Sequence, residues 1–199
     1  MSVRWTVSLP VCLAAFVATA PLLAQSATGE RLVRGTVPPS TQHFQHGKKL
    51  RATYDSVTDS THLAVVTHRG KYFLTVQRPR LTWIVTYAGR TPGTPPVELL
   101  LEFRTQTPQV AFDSRLLIQY GAGKELEVAS AGAYSDPGVQ TWSHFMRFRV
   151  PCASMVEALA GDEMTVSVGG VRERFKPDHL NALRDLLSRV GAWTAAHPM

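Results

Sequence analysis

Two carboxylates four residues apart, followed by hydroxyls and two imidazoles, occur in the stretch TYDSVTDSTHLAVVTH, residues Thr53 to His68. Asp55, Asp59, His62 and His68 are the residue types that bind divalent cations or move protons in general acid and base chemistry. Their spacing argues against both. In an extended strand Asp55 and Asp59 lie on one face about 13 Å apart, at about 3.3 Å per residue, too far to share a cation unless the backbone turns between them. If Thr58 to Ser60 is that turn, Asp59 falls where Asp and Ser side chains bond to their own backbone. A calcium loop also needs a glycine at the bend and a closing glutamate, and neither follows. The stretch reads as two strands and the turn between them.

The remaining candidates for chemistry reduce in the same way. His43 and His46 lie in a polar, proline-bearing segment with no helix to align an i, i+3 pair, while His62 and His68 share a strand face but are six residues apart. There is no HExxH pair, and Cys152 is the one cysteine that could join a zinc site, on an apolar helix stripe. Burial there raises a thiol's pKa and leaves it inert, although a helix start favours the thiolate. His144 is in phase with Trp142, Met146 and Phe148, which makes it a hydrogen-bonded histidine at a core's edge rather than a base. No Gly-x-Ser-x-Gly elbow or Ser-x-x-Lys is present. Glu98, Glu102, Glu125 and Glu127 alternate as the wet side of strands. No catalytic, cofactor-binding or metal-ligating residue is assigned, and no cofactor is expected.

Arginines fall in i, i+2 pairs at Arg78 and Arg80, Arg147 and Arg149, and Arg172 and Arg174. On neighbouring strands these pairs would form a positive stripe for an anionic envelope component or an acidic protein. The competing reading is edge protection, in which exposed charges oppose aggregation of strands.

The elements that must position all these groups are mainly strands. Leu81, Trp83, Val85 and Tyr87 alternate with polar residues, as do Leu116, Ile118 and Tyr120, and Val97, Leu99, Leu101 and Phe103 against Glu98, Glu102 and Arg104. Turn signals separate them: RG at 69–70, RPR at 78–80, RTPGTPP at 90–96, GAG at 121–123, SDPG at 135–138 and GG at 169–170. This rhythm predicts an antiparallel β-sandwich or open barrel. Two helices interrupt it. Pro151 to Ala160 places Cys152, Met155, Val156 and Leu159 on one stripe. Pro177 to Val190 buries Leu180, Leu183, Leu186, Leu187 and Val190, with Asn181, Arg184, Asp185 and Ser188 as its outer face. Ahead of the strands, RLVRGTV suggests a short edge strand and PPSTQHFQHGKK a polar linker. Residues 194–199 read as a frayed tail.

The first residues bear on location. Met1 to Thr6 carry one charge, Arg4, and VSLPVCLAAFVATAPLLA follows, a secretory signal peptide over residues 1–24 with cleavage after Ala24. That leaves a lead-in over 25–49 and one β-rich domain over 50–193, free of any further membrane-spanning stretch. Cys12 departs with the signal, so no intramolecular disulfide is expected. Arginine supplies 16 of the 21 basic residues and asparagine occurs once, a pattern of GC-rich bacterial coding. The net charge of +6 favours weak attraction to anionic surfaces. Nucleic acid is a poor partner for an exported chain without an aromatic and basic platform.

Tyr54, Asp55, Asp59 and Thr61 in one strand, with Gly170 and Phe175 leading into the amphipathic helix Leu180 to Val190, resemble a loosely defined class of uncharacterised bacterial exported β-rich proteins. The chain departs from that pattern at GAG, where Asp-Gly is common. The resemblance implies a fold and a periplasmic or extracellular location, and no activity. The expectation is an exported, non-enzymatic binding or envelope-associated module. Its alternatives are a hydrolase whose carboxylates converge in the fold and a carrier of an apolar ligand.

Overall fold

The computed structural model describes residues 31–69, 77–107, 114–137 and 142–196. Residues 1–24, where a signal peptide is expected, lie outside the described residues. The chain runs β1 (Leu32–Arg34), β2 (Leu50–Asp55), β3 (Ser60–Arg69), β4 (Gln77–Ala88), β5 (Glu98–Thr107), β6 (Arg115–Tyr120), β7 (Lys124–Ala129), β8 (Gly132–Pro137), β9 (Trp142–Pro151), α1 (Cys152–Ala160), β10 (Met164–Val168), β11 (Val171–Arg174), α2 (Pro177–Ser188) and α3 (Ala192–Ala196). The strands form two antiparallel sheets in a sandwich-like arrangement, one of order β1-β2-β3-β4-β5-β9-β8 and one of order β11-β10-β6-β7.

Alternating apolar residues dictate this arrangement. Trp83, Leu101 and Phe148 stand opposite one another across β4, β5 and β9, and all three are fully buried. Ile118 faces Val166 and Leu116 faces Val168 in the smaller sheet, again buried. Each large side chain withdrawn from water in this way contributes roughly 1.5–3 kcal/mol. The glycine pair Gly169 and Gly170, with φ of 55° and 75°, turns β10 into β11. Phe175 follows and meets Trp83 edge-on at 6.3 Å, docking the start of α2 against the large sheet.

The structure departs from the sequence expectations in several places. RPR at 78–80 is part of β4, where a register shift between Gln77 and Arg80 accommodates the proline. Ser135 to Pro137 of SDPG belong to β8, an edge strand, where a proline costs no ladder bond on the open side. Val97 is 87% exposed, because β5 starts one residue later; its carbonyl instead receives the Cys152 N–H. His62 and His68 do not share a face. A bulge between Val66 and His68 sets His68 opposite Leu81, a core residue, whereas His62 pairs with Thr86 on the outer side.

The largest departure concerns α2. Asp185 and Ser188, expected on its outer face, are 3% and 1% exposed. The cover is the lead-in segment, whose residues 35–49 cross α2 as a strap. It leaves the sheet edge at Gly35, where a Cβ would come within 3.2 Å of that of Ala52. Arg189 Nη1 donates to the Pro38 carbonyl, Ser40 Oγ and Ser188 Oγ lie 2.9 Å apart, and Asn181 Nδ2 donates to the Gln45 carbonyl at 3.0 Å. Phe44 packs edge-on against buried Trp193 at 5.8 Å, which fixes α3 where a frayed tail was expected from Thr194. On the other side of α2, Arg184 donates to the carbonyls of Leu159 and Gly161, satisfying the end of α1.

At the centre of the strap contact, His46 Nε2 and Arg189 Nε both reach Asp185 Oδ2 at 3.0 Å. Burial pulls the Asp185 carboxyl upward, but bonds from Arg189, His46 and Ser40 and the charge of Arg189 outweigh it and hold the group below its ordinary value. A carboxylate with a depressed folded pKa stabilises the protein above its unfolded pKa, and this contribution is lost as pH falls through the folded value. Asp185→Asn should lower stability by about 2–3 kcal/mol in urea unfolding at pH 7. The same substitution should flatten the loss of stability below about pH 4. Equal stability of variant and parent at pH 7 would contradict this description of the clasp.

Candidate functional site

β2 begins at Leu50, opposite Val65, so among the described residues no strand pairs with β3 on that side from Val66 to Arg69. The strap leaves this gap open as it swings from β2 to α2. A cleft of about 460 Å³ occupies the place, walled by Gly47 to Lys49 of the strap, Val66 to His68 of β3, Arg80 and Thr82 of β4, and Glu173, Lys176 and His179 below. Lys48, Lys49, Arg51, Arg80 and Lys176 bring five fixed positive charges to it, and among the described residues Glu173 is the one carboxylate in its lining.

The charges are arranged unequally. Lys49, Arg51 and Lys176 are exposed, and among the described residues no carboxylate pairs with them. Lys48 reaches Asp178 at 3.5 Å, just beyond the lining, and Asp178 also accepts the Gly47 N–H at 2.6 Å. That backbone bond, opposed by burial and reinforced by Lys48, holds the Asp178 carboxyl below its ordinary range. Glu173 Oε1 lies 3.1 Å from His68 Nδ1, a contact the β3 bulge makes by turning His68 inward.

Two neutral donors stand in the wall. Thr67 is 2% exposed, and its Oγ1 accepts the Trp83 indole N–H at 3.0 Å, a bond that leaves its own O–H to donate elsewhere. His179, 8% exposed, packs edge-on against Phe175. Its Nδ1 accepts the Lys176 N–H at 3.4 Å, which places the ring proton on Nε2. Burial, and then the charge of Lys48, lower the His179 pKa further than Glu173 and Asp178 raise it, so the ring is a neutral donor. Among the described residues nothing accepts from Nε2. Exposed cations at a rim above buried neutral donors make an arrangement suited to holding an anion.

Of the residues singled out from sequence, His68 and Arg80 line this cleft, and the others lie elsewhere and are answered locally. Asp55 accepts the Val57 N–H at 2.9 Å and pairs with Arg31, while Asp59, at φ 45°, accepts from the Tyr54 hydroxyl at 2.8 Å. They are the turn residues expected. The Val57 amide, more than Arg31, holds the Asp55 carboxyl low against burial. His62 bonds Thr86 Oγ1 at 2.8 Å, and His144, 1% exposed, bonds Ser135 Oγ at 2.8 Å. Ser40, His46 and Asp185 superficially compose a triad. However, His46 Nδ1 accepts the Lys48 N–H at 3.2 Å while Nε2 is on Asp185, so neither nitrogen remains to take a hydroxyl proton.

The glutamates do not converge. Glu98 and Glu102 pair with Arg149 and Arg147 at 2.5 and 3.0 Å, Glu127 with Arg115 at 3.7 Å, and Glu125 accepts from Gln119 at 2.6 Å. The same pairings leave no stripe of the kind that neighbouring arginine pairs would make, the alternative to edge protection. Arg147 and Arg149 lie on the seven-stranded sheet and are neutralised, while Arg172 and Arg174 lie on the four-stranded sheet, bonded to Gln119 and Glu163. Trp83 is packed in the core and fully buried. Among the described residues no group of three or more His, Cys, Asp or Glu could hold a metal. No helix among them is long and apolar enough to cross a membrane.

Sequence reasoning passed over Lys48, Lys49, Arg51, Lys176 and His179. Two basic runs, HGKKLR at 46–51 and KPDH at 176–179, carry the signal, but only the strap joins them. Comparison of the chain with protein-family models, curated proteins and solved structures finds no match.

Cys152 opens α1 but is buried, and that burial, with the nearby charge of Glu98, pushes its thiol up to about 11. At pH 8 it should react with a disulfide reagent about a hundredfold more slowly than a free thiol, and at the ordinary rate in denaturant. Prompt labelling of the native chain would contradict the described burial.

Proposed function

We propose that this chain is an exported binding module, not an enzyme, that takes an anionic component of the cell envelope in the cleft between the strap, the open edge of β3 and the start of α2. One observation carries the reading: among the described residues, five lysines and arginines converge there on a concave surface with a single carboxylate in the lining. Elsewhere the arginines of β9 are spent on the glutamates of β5. A concave site focuses the field of its charges far better than a flat surface does. The size also suits a small charged group with part of its carrier, since ligand clefts commonly enclose about 300–1,000 Å³. Export follows from the signal peptide read at residues 1–24.

Amide NMR titrations of the exported chain with inorganic phosphate, sulfate and citrate test the reading. At least one anion should give saturable shifts confined to residues 47–51, 66–68 and 173–179. Lys49→Glu combined with Arg51→Glu, both at exposed positions, should weaken that binding by about tenfold or more at low ionic strength, and added salt should narrow the difference. Absence of saturable shifts with all three anions would overturn the proposal.

A further inference from the structure

A carboxylate is an odd component for an anion site, and Glu173 has a second feature that gives it a purpose. Its Oε1 lies 3.1 Å from His68 Nδ1, while among the described residues no hydrogen bond reaches Oε2. With 23% of its side chain exposed it stands in the same lining as the strap's lysines and the neutral donors Thr67 and His179. An ionised carboxylate can only accept hydrogen bonds. It therefore repels a bare oxyanion and attracts one that brings its own O–H. The cleft presents donors for most of a ligand's oxygens and one fixed acceptor for a hydroxyl.

Resting on the anion-binding reading above, we infer that the cleft selects a phosphate group bearing an O–H, on phosphorus itself or on the adjoining glycerol or sugar, and that Glu173 is the residue that rejects sulfate. Sulfate and hydrogen phosphate share shape and charge at neutral pH but differ in that one proton. Against sulfate, Glu173 faces a lone pair with a lone pair. Against hydrogen phosphate it gains a charge-assisted hydrogen bond. A bond of that kind, made or missed away from water, corresponds to roughly tenfold to a hundredfold in affinity. The remaining volume accommodates a carrier group attached to the phosphate, so the same chemistry is offered by free phosphate compounds and by hydroxylated phospholipid headgroups.

The test is a pair of calorimetric titrations, inorganic phosphate and sodium sulfate, on the parent chain and on Glu173→Gln. Phosphate should bind the parent about tenfold or more tightly than sulfate. The variant should lose that ratio mainly because sulfate tightens, an outcome that a merely structural role for Glu173 cannot produce. Equal affinities in the parent would overturn the inference while leaving an anion site intact, whereas binding of neither ion would overturn the anion site itself. An unchanged ratio in a folded variant would remove Glu173 from the explanation. Co-sedimentation with phosphatidylcholine vesicles, with and without phosphatidylglycerol, then separates the sources: retention on the second assigns a lipid headgroup, and phosphate binding without retention assigns a soluble compound.

Discussion

A carboxylate that leaves water must be met by charge and hydrogen bonds, and Asp185 imposes that requirement on the whole C-terminal part of the molecule. Just past the end of its own helix Arg189 answers, one turn further on. The rest of the answer comes from residues more than a hundred positions earlier. His46 supplies the second donor to the same oxygen and Ser40 a bond to the adjacent Ser188. His46 is tied down on both nitrogens, and the two residues that follow it are tied down as well, with Gly47 and Lys48 bonded to Asp178. The strap is thus not a passive cover. It delivers two lysines to the open edge of β3.

That edge owes its opening to two local events. β2 starts too late to pair with the end of β3, and the bulge at Val66 to His68 rotates the strand so that both Thr67 and His68 turn inward. Without the bulge, His68 would point with His62 to the outer face and Glu173 would lose its partner. The cleft therefore depends on an interruption of regular sheet structure, supported on one side by the strap and on the other by Phe175 wedged against Trp83. Positive charge accumulates there because the acids that could cancel it are engaged elsewhere, on β5 and β7.

The period-two pattern of Leu81 to Tyr87 and Leu99 to Phe103 was sufficient to read the strands, their buried faces and the sandwich class, since burial of alternate residues is a local demand. The helix stripe with Cys152 and the Gly169 turn were legible for the same reason. What could not be read was anything set by a distant partner. Asp185 and Ser188 are polar, and polar residues on a helix belong in water unless another segment brings donors to them. PPSTQHFQHGKK looks like a linker by composition, yet Phe44 and His46 give it one apolar and one polar anchor. The bulge that separates His68 from His62 has no signature in THLAVVTH, and RPR passes for a turn because a register shift inside a strand tolerates the same proline. The basic cleft is invisible along the chain since its two halves lie more than a hundred residues apart.

The most direct measurement of the strap's place in the structure is native-state amide hydrogen exchange at Gly47 and Lys48, whose N–H groups are held by Asp178 and His46. Both amides should be protected in the parent chain, and their protection should fall together when His46 is replaced by alanine. Exchange at the rate of an unstructured peptide in the parent chain would contradict the clasp on Asp185 and, with it, the cleft that the clasp shapes.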